Sequence, residues 1–366
     1  MNESEVTRDG SRGARPGRQA PGGQRPEQGG RRRRRRGEQL LVPKAEFRSY
    51  YGRPILNRPG WKASNIAGYF FLGGLAGAGS VLAAGAELTG RPRTARAMKI
   101  SSLAAVTGST AALVHDLGRP SRFANMLRVL KPTSPMSVGS WILAAYGPAA
   151  GAAAALDVLR RLPRLGRAAT VSAALLGPAV ASYTAVLAAD TAVPGWHEGY
   201  RELPYVFTGS ATAAAAGMAL IAAPATEAGP ARATAVFGAA LETAAVKAME
   251  RRLGMVAEVY RTGPAGRLMR VAEGLTLAGA AGAALNRRGD RMLAALSGTA
   301  LLAASACTRF GVFHAGMASI ADPRYTVVPQ RERLRRREAE AGRRGAGAAE
   351  GDPPGGGGAQ SGATPS

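Results

Sequence analysis

Four stretches of the chain carry no charged side chain: 63–86, 132–156, 168–189 and 203–226. A helix needs roughly 20 apolar residues to cross a bilayer core of about 30 Å, and each stretch is long enough. Ala and Gly dominate them, which lowers hydropathy per residue but lets helices approach closely in lipid. A further run, Ile100–Val114, is uncharged and ends at His115-Asp116. The pattern predicts spans over 63–86, 97–117, 136–156 and 168–189, a polar-aromatic connector over 190–204, and a fifth span over 205–224. The second half is less clean. Segment 231–252 carries Glu242, Lys247 and Glu250, segment 268–286 carries Glu273, and segment 291–318 carries Arg309 and His314. Reading all three as spans gives an all-α integral membrane protein of eight transmembrane helices. They fall into two successive four-helix bundles, residues 63–189 and 205–320. A count of six or seven would leave the sixth or seventh helix lying in the membrane interface.

The ends of the chain read differently. Residues 1–42 hold six consecutive arginines, Arg31–Arg36, among Gly, Pro and Gln. Residues 43–62 form a juxtamembrane segment. Residues 321–366 are a polar tail that begins with charge and ends in Gly, Pro and Ala. Neither tail has enough apolar surface to offset its chain entropy, so both are expected to be disordered. These tails dilute an apolar middle, which is why the mean hydropathy is −0.06 and the net charge +24. The arginine run has no nucleic-acid-reading module beside it, so no nucleic acid partner is expected. It suits a topology determinant, or attraction to anionic lipid headgroups at about 1 kcal/mol per basic residue. Eight spans put both ends on one side, and positive charge favours the cytoplasm. The expectation is a multi-pass protein of the cell (plasma) membrane with both termini cytoplasmic. A single cysteine, Cys307, excludes an internal disulfide and an iron–sulfur cluster held by this chain's own thiolates. The three histidines sit apart, His115 and His314 at span ends and His197 in the connector, so no haem is expected either.

Five segments, taken in order, resemble a known family. They are YFFLGGLAGAGS (69–80), HDLGRPSRF (115–123), KPTSPMSVGSW (131–141), SYTAVLAADTAVPGWHEGYRELPYVFTGS (182–210) and ACTRFGVFHAG (306–316). Across about 45–330 the chain is similar to the NrfD-like family, the membrane subunits of polysulfide-reductase-type oxidoreductases. The resemblance implies eight helices in two bundles and a quinone, menaquinone or another, bound without haem. It implies docking to an iron–sulfur, ferredoxin-like subunit, which connects to a molybdopterin-type or similar catalytic subunit. The expected function is a quinone-reactive membrane anchor that exchanges electrons between the iron–sulfur partner and the quinone pool. Some members are thought to move protons as well. Substrate chemistry would then reside in other chains. The alternative is a transporter or ion-conducting protein. Two halves invite that reading, but there is no evident internal repeat and no pair of broken helices flanking a midplane site.

A quinone needs donors at two carbonyl oxygens, an apolar slot and ionisable groups that relay protons. Ionisable residues within spans are costly and are functional candidates by default. Asn65 and Tyr69 are four apart at the start of the first span, hence on one helix face. His115 and Asp116 end the second span, on the same membrane side if spans alternate. Tyr183 lies part-way back toward that side on the fourth. The expected roles are hydrogen bonds from Asn65 and Tyr69 to one quinone oxygen and proton donation or shuttling by the imidazole of His115. Asp116 orients that imidazole or links it to water, Arg119 holds Asp116 ionised or caps the helix end, and Tyr183 completes the group. Tyr69 stands where a relative has histidine. Each residue also has a quieter reading: an interface aromatic for Tyr69, a helix cap for Asn65, a satisfied helix terminus for His115-Asp116, a salt bridge for Arg119, packing for Tyr183. Phe123, Met126, Leu127 and Leu130 recur at helical spacing with Arg122, Arg128 and Lys131 outside, which predicts an interfacial amphipathic helix. The resemblance implies that this side faces the iron–sulfur partner. In the second half Glu242 and Arg309 are the most deeply set charges. They suit a proton route or a buried salt bridge that fixes packing, and the second is preferred because charges in lipid need partners in either case.

Overall fold

The computed structural model describes residues 6–7, 10–11, 55–57, 59–117 and 121–350. Among the first 46 residues, β1 (Val6–Thr7) pairs antiparallel with β2 (Gly10–Ser11). The rest of the basic tail expected at 1–42, including Arg31–Arg36, lies outside the described residues, as does most of 43–62.

From residue 63 onward the described chain is helical. In order come α1 (Ala63–Leu88), α2 (Pro92–Asp116), the short α3 (Ser121–Met126), α4 (Pro135–Leu159) and α5 (Pro163–Ala189). The connector holds one turn, α6 (Pro194–His197). Then follow α7 (Leu203–Ala222), α8 (Gly229–Arg252), one-turn α9 (Glu258–Arg261), α10 (Gly263–Leu285), α11 (Arg291–Ala321) and α12 (Arg324–Glu350). Several helices begin upstream of their apolar runs: α2 at 92, α5 at 163 and α10 at 263, not at 97, 168 and 268. Proline sets the start. It stands at the first or second position of α2, α4, α5, α7, α8 and α10. Its fixed φ suits the first turn and its missing N–H costs nothing there. Long helix α11 starts another way: the Asp290 carboxylate accepts from the backbone N–H of Met292 and Leu293, at 2.8 and 3.2 Å.

Among the described residues, seven helices are long and apolar enough to cross a membrane: α1, α2, α4, α5, α7, α10 and α11. The segment expected as the sixth span is a helix, α8, 24 residues long, about 36 Å at 1.5 Å per residue. It is too polar to qualify by composition. The other two expected spans of the second half, α10 and α11, do qualify.

Neighbouring helices run antiparallel. The start of α1 meets the end of α2 at Asn65 and Asp116, and the end of α1 meets the start of α2 at Glu87 and Lys99. The first pair marks what we call the near face, the second the far face. Helix α1 lies at the centre, packed on α2, α5, α7 and α11. Its contact with α5 is backbone on backbone. A Cβ on Gly77 or Gly177 would run into the other glycine's carbonyl, so both positions must be glycine for the helices to meet there. The buried apolar residues of the two halves form one continuous core, from Ile66 and Phe70 to Val312 and Phe313.

Lys99, near the start of α2, is only 5% exposed. Its ammonium sits 2.7 Å from Glu87 and 3.2 Å from Asp157, tying the far ends of α1, α2 and α4 together. The α4–α5 turn is tight, and both Arg160 (φ 53°) and Leu162 (φ 49°) take the left-handed conformation. That region costs an L-residue about 1–2 kcal/mol. Leu162 is 63% exposed and has little packing to lose. Leu162→Gly is therefore expected to raise stability by up to about 1 kcal/mol, and a lower melting temperature in detergent would contradict the strain argument.

Two sequence expectations change on this fold. The amphipathic helix expected across 122–131 is only α3, six residues. Proline disfavours helical conformation in the residue before it, and Pro132 follows Lys131 directly. The chain instead turns, with Ser137 Oγ bonded to the backbone of Val129 and Lys131, leaving Val129 and Leu130 exposed. The polar tail from 321, expected to be disordered, continues as α12. Its run of Arg, Glu and Ala favours helix, and Arg333 pairs with Glu198 of the connector at 2.9 Å. At the α11–α12 junction Arg324 donates to Asp322 from its backbone and its guanidinium, which holds that carboxyl below its usual range.

Candidate functional site

At the near face, α1 begins without a side-chain cap of its own. Asp116, at the end of α2, supplies the missing acceptor. Its Oδ1 takes the backbone N–H of Lys62 at 3.4 Å and the Asn65 carboxamide at 3.3 Å. A carboxylate at a helix N-terminus is favoured both by the free N–H groups and by the helix dipole. One turn deeper, Tyr69 is buried, and Ser109 Oγ of α2 donates to its carbonyl at 3.0 Å. Behind its ring Phe70 and Phe207 pack with centroids 5.7 Å apart. Tyr183 of α5 brings its phenol toward that of Tyr69, within electrostatic reach of it. The Tyr183 ring occupies the space that a Cβ on Gly139 of α4 would fill, so glycine at 139 is what admits the phenol. Asn65, Tyr69, Asp116 and Tyr183 thus form one line from the near face inward.

The remaining two candidates stand apart. His115 is exposed, and the Asp116 carboxylate bonds to Lys62 and Asn65 rather than to the imidazole. The expected Asp116–His115 orientation is absent because consecutive residues near a helix end point in different directions. Arg119 lies outside the described residues. Next to the line, the connector folds inward. Trp196 is fully buried, stacks on Trp61 at 5.7 Å and donates from Nε1 to Val312 O at 2.7 Å. Tyr260 donates to Gly195 O at 2.6 Å. A segment rich in Asp, His, Glu and Arg reads as surface loop; only its two apolar anchors, Val193 and Trp196, signalled otherwise.

The second half contains a different polar group. Glu242 of α8 is 5% exposed and accepts from Thr308 Oγ1 at 2.7 Å and Thr276 Oγ1 at 3.3 Å. Arg309, fully buried, donates from Nη2 to Phe207 O at 2.7 Å and lies 3.8 Å over the Phe207 ring. The salt bridge expected between the two does not form: Arg309 is directed toward α7 and α1, while Glu242 is satisfied by threonines. Among the described residues no three His, Cys, Asp or Glu side chains gather as a metal site.

Long apolar helices packed through small residues define a multi-pass integral membrane protein, with a polar line entering from one face. Residues 58–245, more than half of the chain, match the family described as Polysulphide reductase, NrfD, and the chain belongs to that family. The match ends within α8, so the similarity read at 306–316 lies beyond it. No curated protein matches the chain.

Proposed function

We propose that the chain is the quinone-reactive membrane subunit of a multisubunit oxidoreductase. It exchanges electrons between an iron–sulfur, ferredoxin-like partner and the quinone pool, with a molybdopterin-type or similar subunit carrying the substrate chemistry. The observation that carries this reading is the line of Asn65, Asp116, Tyr69 and Tyr183 in a chain of the NrfD family. Its donor set suits a quinone, menaquinone or another. A carboxamide and two phenols offer neutral donors to carbonyl oxygens, aromatic and aliphatic side chains surround them, and a carboxylate stands at the aqueous end. A quinone supplies two-electron, two-proton redox chemistry when bound. This chain's residues orient it from Asn65 and Tyr69, hold a proton at Asp116, and exclude water behind Tyr183. The exposed His115 imidazole serves as the outer proton donor, and Arg119 stands beside it in sequence.

Helix α8 completes the count as an eighth span in this reading. It runs antiparallel along α7, where Gly209 and Gly238 bring the backbones together, and along α10. Its apolar Val236 and Phe237 point outward to lipid while its charges turn toward α10. The two groups are then α1, α2, α4 and α5, and α7, α8, α10 and α11. The start of α1 and the end of α11 lie on the near face, which we assign to the cytoplasm of the plasma membrane. The test uses membranes holding the whole complex. Asp116→Asn is expected to lower quinol-linked turnover on the order of a hundredfold, the scale of a lost proton-transfer group. Tyr69→Phe, which deletes one hydroxyl, lowers it about tenfold, the equivalent of one hydrogen bond of about 1.4 kcal/mol. Full turnover in both variants rejects this site.

A further inference from the structure

Between α8 and α10 a cavity of about 330 Å³ runs inward from the near face. Lys247, Glu250, Arg261, Arg270 and Glu273 line its outer part, and Glu242, Thr276 and Thr308 form its inner end. The outer charges are paired, Lys247 with Glu273 at 2.9 Å and Glu250 with Arg261 at 3.0 Å. Arg270 donates to the Arg261 carbonyl at 2.9 Å. The inner carboxyl is not paired. Its hydrogen-bond partners are neutral hydroxyls, and the nearest buried cation, Arg309, bonds to Phe207 O and acts on Glu242 by charge from beyond ion-pair distance.

This arrangement differs from that of a structural ion pair. A buried carboxylate with no cation in direct contact is expensive unless it can take a proton. Threonine hydroxyls serve both forms, since they donate to a carboxylate and accept from a carboxylic acid. A cavity of this size and polarity holds several waters, which need partners of this kind on its wall. We propose that Glu242 is a proton-binding site that exchanges with near-face water through this cavity, with the Lys247–Glu273 pair at its entrance. The uptake step is simple: a hydronium reaching the cavity from near-face water gives a proton to a Glu242 oxygen and remains as water, the carboxylate becomes neutral, and Thr308 changes from donor to acceptor. The groups facing Glu242 from each packed element set the dependence on pH. They are Arg309 from α11, Glu273 and Arg270 from α10, Lys247 and Glu250 along α8, and Tyr260 and Arg261 beyond it; α7 presents only the hydroxyl of Ser210. This proposal stands apart from the quinone reading, since it uses none of the same residues.

A hydrophobic carbodiimide tests it, because it forms a stable adduct only with a protonated carboxyl in an apolar setting. The full chain in native membranes is treated across a pH series and the adduct located by peptide mass spectrometry. We expect label on Glu242 that grows as pH falls, and its complete loss in Glu242→Gln. Lys247→Ala, which opens the entrance, is expected to speed labelling of Glu242. Quinol-linked turnover is read on the same samples, so a failed quinone site and a failed proton site are told apart. No label on Glu242 at any pH, label independent of pH, or label confined to Glu250 and Glu273 overturns the proposal. The wild-type series decides this even if the glutamine variant does not fold.

Discussion

Trp196→Ala is expected to destabilise the protein by about 3–5 kcal/mol, the scale of deleting a large buried aromatic. The indole is fully buried, stacks on Trp61, tilts against Phe313 at 5.7 Å and donates to Val312 O. Removing it opens a cavity at the near-face meeting of α1, the connector and α11, and leaves the Val312 carbonyl without that donor. Around it the helices have no small movement available, because a Cβ on Gly316 would already strike the indole. Phenylalanine fills part of the space but restores no donor, so Trp196→Phe should fall between the two. Thermal unfolding in detergent reads the series. A melting temperature for Trp196→Ala within a degree or two of wild type would mean that the connector does not hold this end of the bundle.

The second large effect falls on Arg309, where packing and charge can be separated. The guanidinium lies beside Gly74 of α1 and donates to Phe207 O of α7, so it fills the space where the two halves meet. Its Nε and Nη1 find no hydrogen-bond partner among the described residues. A buried cation with unmade hydrogen bonds contributes less by its charge than by its volume. Arg309→Ala is expected to cost on the order of 3–5 kcal/mol through the void and the orphaned carbonyl. Arg309→Met keeps the stem and the contact with the Phe207 ring while removing the charge, and should lie within about 1–2 kcal/mol of wild type. Unfolding midpoints that rank Met with Ala would show that the cation itself joins the halves.

Both effects bear on residues that sequence reasoning treated unevenly. The uncharged runs made the first five spans plain, because nothing but a membrane asks for so many uncharged residues in a row; of the three charged segments also read as spans, α10 and α11 are long and apolar enough to cross. Helix α8 was legible as a helix, but its charges hid whether lipid or protein surrounds it, since that depends on which face meets α10. The pairing of Asn65 with Asp116 followed from two simple facts, a spacing of four and the alternation of helix direction. The Tyr69–Tyr183 contact could only be suggested, because it needs Gly139 to vacate space on a third helix. The burial of Lys99 was not legible, because its two carboxylates come from α1 and α4, far away in sequence. Thr276 and Thr308 look like ordinary small polar residues until α10 and α11 bring both to Glu242.

The near face gathers both polar inlets, the line beginning at Asp116 and the cavity ending at Glu242. If acid equivalents for the redox centre and for the second half are drawn from this one compartment, neither uptake moves charge across the bilayer. Energy conservation would then depend on where each proton is afterwards released, and an electrical measurement across sealed vesicles would reveal it as voltage present or absent during turnover.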